Sequence, residues 1–340
     1  PTHAPPADRG RGVRRLPGMP LSDLSPDQLR SFQAPGTAAA DFDDFWAATL
    51  AESDRFDATP KLTPHPTPLT TLDVFDVEYA GFGGQPVRAW LLLPRGRGGR
   101  LPCVVEFPGY GGGRSDPLDA LVYASAGYAH LLMDLRGQGS AGRSGDTPDP
   151  VASPHPHFPG FMTKGVLDPH DYYYRRLITD AVRAVAAARR TDGVDPDRVA
   201  VMGASQGGGL AVAVGALVPD VAGIVSDVPF LSHFRRGAEI ASEGPYVELA
   251  RYLRVHRDRV DQVFRTLSYV DALNFAPRAT VPAAFSAAAM DPVTPPSTCF
   301  AVYNAYAGPK DMRLWEFNGH EGGEVAGHRR RLEFLARVLG

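Results

Sequence analysis

The chain holds 340 residues, 44% of them hydrophobic, with a formal net charge of −3 and two cysteines. That length and apolar share suit one large α/β domain or two smaller ones. The interspersed acidic and basic residues lack the electrostatic footprint of a nucleic-acid or anionic-membrane binder. Cys103 and Cys299 make no disulfide framework and read as buried thiols; no run approaches the roughly 18 apolar residues that span a bilayer, and the N-terminus has no signal-peptide apolar region, so a soluble cytoplasmic protein is expected.

Residues 1–18 are rich in Pro, Arg and Gly and read as a disordered or extended leader, with folding expected from Met19 onward. The acidic start and the Phe42, Phe45, Trp46 stripe predict a helix over 41–50 with its aromatics turned inward. Strand-like runs follow at 72–81, 87–94 and 101–109, punctuated by Gly and Pro. The apolar strand LLMD then ends in Asp134, Arg136 and Gln138 among glycines, a loop suited to structural support through an Arg–carboxylate bridge or Gln hydrogen bonds. His155 and His157 lack acidic or Cys partners at ligand spacing and read as loop residues, so no metal is expected. Tyr172, Tyr173 and Tyr174 head an amphipathic helix and are expected to pack, cap and fill rather than stack on a sugar.

The run RVAVMG predicts a buried strand, and 210–217 reads as Ala- and Val-rich helix. After the next strand, AGIVSDVP, the alternation pauses for a charged, helical stretch over about 231–275. This is longer than an ordinary α/β connection and reads as an inserted helical lid. Strand and helix patterns resume at VPAAFSAAAMD, PPSTCFAVYNAYAG and DMRLWEF and close with a helix over Glu324–Leu339. Early hairpin-like strands followed by βαβ units predict a mainly parallel mixed sheet with flanking helices, built as a single domain over 19–340.

The stretch VMGASQGGG places one serine at a strand-to-helix corner, in the pattern G-x-S-x-G. A tight turn there aims the Ser205 hydroxyl out of the sheet edge, and Gly203 and Gly207 remove side chains that would strike the neighbouring strand or helix. An isolated match of this kind is more often a Gly-rich turn with a capping serine, so the rest of the chain has to decide. A serine nucleophile needs a base, and the base needs an acid to orient it, in the chain order Ser, Asp, His on this architecture. Asp291 follows the apolar run VPAAFSAAAM, and His320 follows RLWEF, so both stand at later strand ends on the edge where Ser205 points. The oxyanion donors are expected to be the backbone N–H groups of Gln206, after the nucleophile, and Tyr110, in the Gly-rich loop after CVVEF; the Tyr110 ring is placed to wall the acyl pocket.

The set RGQ at 136–138, GASQGG at 203–208 and HE at 320–321 resembles the acetyl xylan esterase and cephalosporin C deacetylase family, carbohydrate esterase family seven. The likeness runs from MPLSDLSPDQL at Met19 through GFMTKGVLDPHDYYYRRLITDAVRAV and DPVTPPSTCFAVYNAY to the end. It implies an α/β-hydrolase fold that deacetylates small substrates such as xylo-oligosaccharides and cephalosporin C, without a cofactor. It puts the nucleophile on Ser205, the acid on Asp291, the base on His320 and the oxyanion donors on Tyr110 and Gln206. It also implies a homo-oligomer, a ring-like hexamer with contacts at the insertion. Pro108-Gly109 stands where family members commonly have His-Gly, and the flank of His320 is unusually rich in glycine.

The expected function is therefore a serine esterase acting on acetylated small carbohydrates through an acetyl-enzyme. The alternatives are an esterase or peptidase of different acyl specificity on the same scaffold, since the Ser-His-Asp set does not choose between ester and amide, and a non-catalytic carbohydrate-binding protein.

Overall fold

The computed structural model describes residues 23–340 apart from 97, 152, 154, 157 and 158. The expected leader over 1–18 and His157 lie outside the described residues. Helix α1 (Pro26–Ser31) opens on a capping box of Ser25 and Gln28, and α2 (Phe42–Ser53) buries Phe42, Phe45 and Trp46. The Trp46 indole N–H donates to the Tyr269 carbonyl at 2.8 Å, which ties α2 to a segment 223 residues further along the chain.

Strands β1 (Lys61–Pro64), β2 (Leu72–Ala80) and β3 (Pro86–Pro94) form an antiparallel meander. β1 has no sequence signature because it is short and mostly exposed, with no alternation to announce it. Then come β4 (Leu101–Phe107), α3 (Leu121–Ser125), β5 (Ala129–Met133) and a two-stranded hairpin of β6 (Ser140–Ala141) and β7 (Arg143–Ser144). Helix α4 (Tyr173–Arg189) leads to β8 (Val194–Ala204), α5 (Gln206–Leu217) and β9 (Gly223–Asp227).

Four helices follow: α6 (Phe234–Ile240), α7 (Tyr246–Val255), α8 (Val260–Ser268) and α9 (Ala272–Phe275). The chain ends in β10 (Ala283–Ala288), α10 (Pro296–Ala305), β11 (Lys310–Trp315) and α11 (Glu324–Leu339). The nine-stranded sheet runs β1-β2-β3-β5-β4-β8-β9-β10-β11, antiparallel as far as the β3–β5 pair and parallel from there on.

Strand alternation builds two cores. Cys103, Val105, Val199 and Val201 face one side with Leu177, Ile178 and Leu210 of α4 and α5; Val104, Ala200 and Met202 face the other with Tyr123 of α3 and Phe334, Leu335 and Leu339 of α11. The central parallel strands are thus apolar on both faces, as helix-covered strands must be. Helices α6–α9 share the first core through Phe234, Tyr246, Leu249, Val263, Leu267 and Phe275. They are held at their root by Asp271, whose carboxylate accepts the N–H groups of His233, Phe234 and Leu273 at 2.8, 3.0 and 2.9 Å. Those bonds fix a reversal in which Leu231 and His233 have positive φ. Among the described residues no helix is long and apolar enough to cross a membrane.

Candidate active site

Ser205 occupies the corner between β8 and α5 at φ 55° and ψ −121°, a conformation that needs a strong surrounding framework. That framework is backbone: Ser205 N–H donates to Asp227 O at 2.9 Å, and Ser205 O accepts from Gly209 N at 3.1 Å and Phe230 N at 2.9 Å. The helix already begins at Gln206, so Gly207, Gly208 and Gly209 are helical despite their poor propensity. Close approach explains them. A Cβ on Gly203 would overlap the Gly207 backbone, one on Gly207 the Phe107 carbonyl, and one on Gly209 the Phe230 carbonyl.

The Ser205 hydroxyl makes no capping bond to its own helix. It lies 2.9 Å from His320 Nε2, and His320 Nδ1 lies 2.8 Å from Asp291 Oδ2. A carboxylate can only accept, so the ring proton belongs on Nδ1, which leaves Nε2 to accept from Ser205 Oγ. Asp291 is fully buried, and its other oxygen accepts the Val293 and Thr294 N–H groups at 2.8 and 2.9 Å. Thr294 Oγ1 adds a third donor, 2.7 Å from Asp291 Oδ2, and lies 3.3 Å from His320 Nδ1. Sequence reading did not single out Thr294, although Asp-Pro-Val-Thr is a turn pattern in which a carboxylate caps the backbone two and three residues on. Strand ends explain the convergence: Ser205, Asp291 and His320 follow β8, β10 and β11, parallel strands of one sheet.

Gly109 of the loop after β4 stands against the corner, where a Cβ would lie 3.9 Å from both Ser205 Cβ and Ala204 O. The loop is pinned one residue beyond Tyr110. Gly111 N–H donates to Gln138 Oε1 at 2.6 Å, and Gly111 O accepts the N–H groups of Gly139, Ser140 and Ala141. Gln138 Nε2 in turn donates to Tyr173 Oη at 2.9 Å and to Gln206 Oε1 at 3.1 Å, and Tyr174 Oη donates to that same oxygen at 2.9 Å. Beneath this, Arg136 is completely buried; its Nε and Nη2 reach the two oxygens of Asp180 at 2.5 and 2.8 Å, and its carbonyl accepts from Tyr173 Oη at 2.6 Å. Burial opposes the Arg136 charge, but Asp180 and Asp149 outweigh it and hold the guanidinium firmly protonated.

The structure thus joins the two glutamine side chains, Arg136 and the tyrosine run in one polar floor under the corner and the loop. Tyr172 is buried with them and donates to the Met162 carbonyl at 2.9 Å. Among the described residues no group of three or more His, Cys, Asp or Glu could hold a metal ion. Cys103 and Cys299 are both buried with free thiols, and burial pushes the Cys103 thiol up to about 12.

The sequence profile of the family described as acetyl xylan esterase (AXE1) matches residues 19–338. A curated relative, acetyl esterase Axe7A of Xylanibacter ruminicola, is 27% identical over 285 residues; the match takes in 82% of this chain and 63% of that protein, so the chain spans less than two thirds of the length of that relative. Among solved structures, an acetyl xylan esterase from Paenibacillus sp. R4 superposes with a TM-score of 0.88 at 38% identity, covering 93% of this chain and 100% of the other. Acetyl xylan esterase 1 from Thermoanaerobacterium sp. JW/SL YS485 superposes with a TM-score of 0.86 at 30% identity, covering 94% and 100%.

Proposed function

As this chain belongs to the acetyl xylan esterase family, we propose that it is a serine esterase removing acetyl groups from small carbohydrates, acetylated xylo-oligosaccharides and cephalosporin C among them. The observation that carries the mechanism is the continuous hydrogen-bond chain from Ser205 Oγ through His320 to buried Asp291. Ser205 Oγ attacks the acetyl carbonyl as its proton passes to His320 Nε2. Asp291 holds the imidazole in register and stabilises the cation. The backbone N–H groups of Tyr110 and Gln206 receive the developing oxyanion, helped by the N-terminal end of α5. His320 then returns its proton to the departing alcohol, activates a water against the acetyl-enzyme, and acetate leaves. In this reading the Tyr110 ring walls the acyl pocket and favours acetyl over longer chains. The working assembly in this reading is a homo-hexamer.

The test is acetate release from an acetylated xylo-oligosaccharide and from cephalosporin C by wild type and Ser205→Ala. Turnover by wild type with a loss of several orders of magnitude in the variant is the expected result. Activity surviving in Ser205→Ala removes the serine mechanism. Wild-type activity confined to longer nitrophenyl esters or peptide anilides keeps the mechanism and discards the substrate. Saturable sugar binding with no hydrolysis at all points to a binding protein instead.

A further inference from the structure

Tyr110 is held from a second direction, by a residue of the inserted helices. Glu248, in the first turn of α7, accepts a hydrogen bond from Tyr110 Oη at 2.6 Å on one carboxylate oxygen and from Met162 N–H at 3.3 Å on the other. Tyr110 Oη itself accepts from Phe161 N–H at 2.7 Å. These three bonds close a ring linking the 109–113 loop, the 160–162 segment and α7. Gly160 makes room for it: at φ +122° it carries no Cβ, and one would overlap the Glu248 carboxyl. The 160–162 segment is a firm anchor, because Met162 is fully buried and its carbonyl accepts from Tyr172 Oη.

The Tyr110 peptide therefore lies between two clamps, the Gln138 bond to Gly111 and the carboxylate on the tyrosine's own hydroxyl. A carboxylate drawn out of water is costly unless its bonds do something. Burial pushes the Glu248 carboxyl above its ordinary range, against the opposing pull of Tyr110, Met162 and Arg251. Burial and the facing Glu248 likewise keep the Tyr110 hydroxyl protonated, as a donor. A tether that served only to dock α7 would not need this arrangement, since Tyr246 already docks it by bonding Ser232 N and O.

We propose that Glu248 is a positioning residue for the reaction: by holding the Tyr110 hydroxyl, it aims the Tyr110 backbone N–H at the oxyanion, so the inserted helices complete the oxyanion hole. This rests on the serine-esterase reading above. Glu248 also lines a cavity of about 480 Å³ with Tyr110, Glu243, Pro245, Val247 and Arg251, so direct contact with the alcohol half of the substrate is the rival role, and the two differ in what they change. A positioning residue alters transition-state stabilisation whatever the alcohol; a binding residue alters KM in step with it.

The experiment measures kcat and KM on acetyl esters of several alcohols for wild type, Glu248→Ala, Glu248→Gln, Tyr110→Phe and the Glu248→Ala/Tyr110→Phe double variant. Affinity for a small alkylboronic acid, whose tetrahedral serine adduct occupies the oxyanion hole, is measured beside them. Glu248→Ala and Tyr110→Phe should each lower kcat about tenfold with KM within about twofold, and the double variant should be no worse than either single one. Boronate affinity should fall by the same factor, and Glu248→Gln, which keeps an acceptor for the tyrosine, should recover most of it. Unchanged boronate affinity, additive losses, or a KM effect that tracks the alcohol would each overturn the proposal. Ser205→Ala is run in parallel: if it turns over, the underlying reading fails, whereas an inactive Ser205→Ala beside a fully active Glu248→Ala removes only this inference.

Discussion

The corner at 203–209 and the inserted helices α6–α9 both reach the sheet edge where Ser205, Asp291 and His320 meet, but opposite means hold them there. At the corner the framework is backbone against backbone, and the requirement is that side chains be missing: Gly203, Gly207 and Gly209 each leave space that a neighbouring main chain fills. In the insertion the requirement is that particular side chains be present. Asp271 satisfies three N–H groups at its root, and Glu248 joins it to the Tyr110 loop. The first region is governed by volume and the second by polar satisfaction, so they should fail differently when altered.

The largest effect on activity tests the chemistry that the corner presents. Asp291→Asn keeps an oxygen for the Val293 and Thr294 N–H groups but turns an amide donor toward His320 Nδ1. The wrong tautomer follows, and kcat should fall by roughly four orders of magnitude with little change in unfolding midpoint. A variant that keeps its activity would take Asp291 out of the hydrogen-bond chain's function.

Next comes the space itself. Gly207→Ala puts a methyl group into the Phe107 carbonyl, a main-chain atom of a central strand that cannot step aside. It should destabilise the fold by about 3 kcal/mol or more, read by denaturant unfolding. A variant of wild-type stability would mean that volume does not govern the corner.

The insertion answers to pH. Burial raises the Asp271 carboxyl from 3.8 to about 6, against the pull of its three N–H donors. Between those values the folded state binds more protons than the unfolded one, so this group's contribution is fully present below 3.8 and is lost as pH rises through about 6. Measured against Asp271→Asn, which does not titrate, wild type should gain about 1 kcal/mol between about pH 7 and about pH 5. A pH-independent difference would show that the carboxyl is not desolvated as its burial implies.

The smallest effect probes the floor shared by the corner and the loop. Tyr174→Phe removes one of two donors to Gln206 Oε1 and leaves the Gln138 bond, so about 1 kcal/mol of stability should go, with kcat changed less than about threefold. A larger loss of activity would place the floor, rather than the backbone, in control of the elbow.

These contrasts mark what was legible in the sequence. The corner could be read because its demands are local: an apolar strand, a serine, and glycines two positions either side all lie within a few residues. Asp291 and His320 could be placed because each directly follows an apolar strand run, and the ends of parallel strands share an edge. The loop with Arg136 and Gln138 was readable as a support, but not its partners, since Asp180 lies 44 residues from Arg136 and Gln206 lies 68 from Gln138. Thr294 went unseen because the Asp-Pro-Val-Thr turn pattern marks an ordinary loop as readily as a site, and only the fold sets its hydroxyl against Asp291.

By itself the sequence determined the mainly parallel sheet with its flanking helices, the strained serine corner, and the strand ends at which Asp291 and His320 follow Ser205, because hydrophobic period and glycine spacing are properties of neighbours along the chain. Only the tertiary structure decided which carboxylate faces which donor. Glu248 meets Tyr110 across 138 residues and Asp271 meets His233 across 38. Such pairings depend on which buried N–H and O–H groups the fold leaves in need of an acceptor, and that need does not exist until the backbone has been packed.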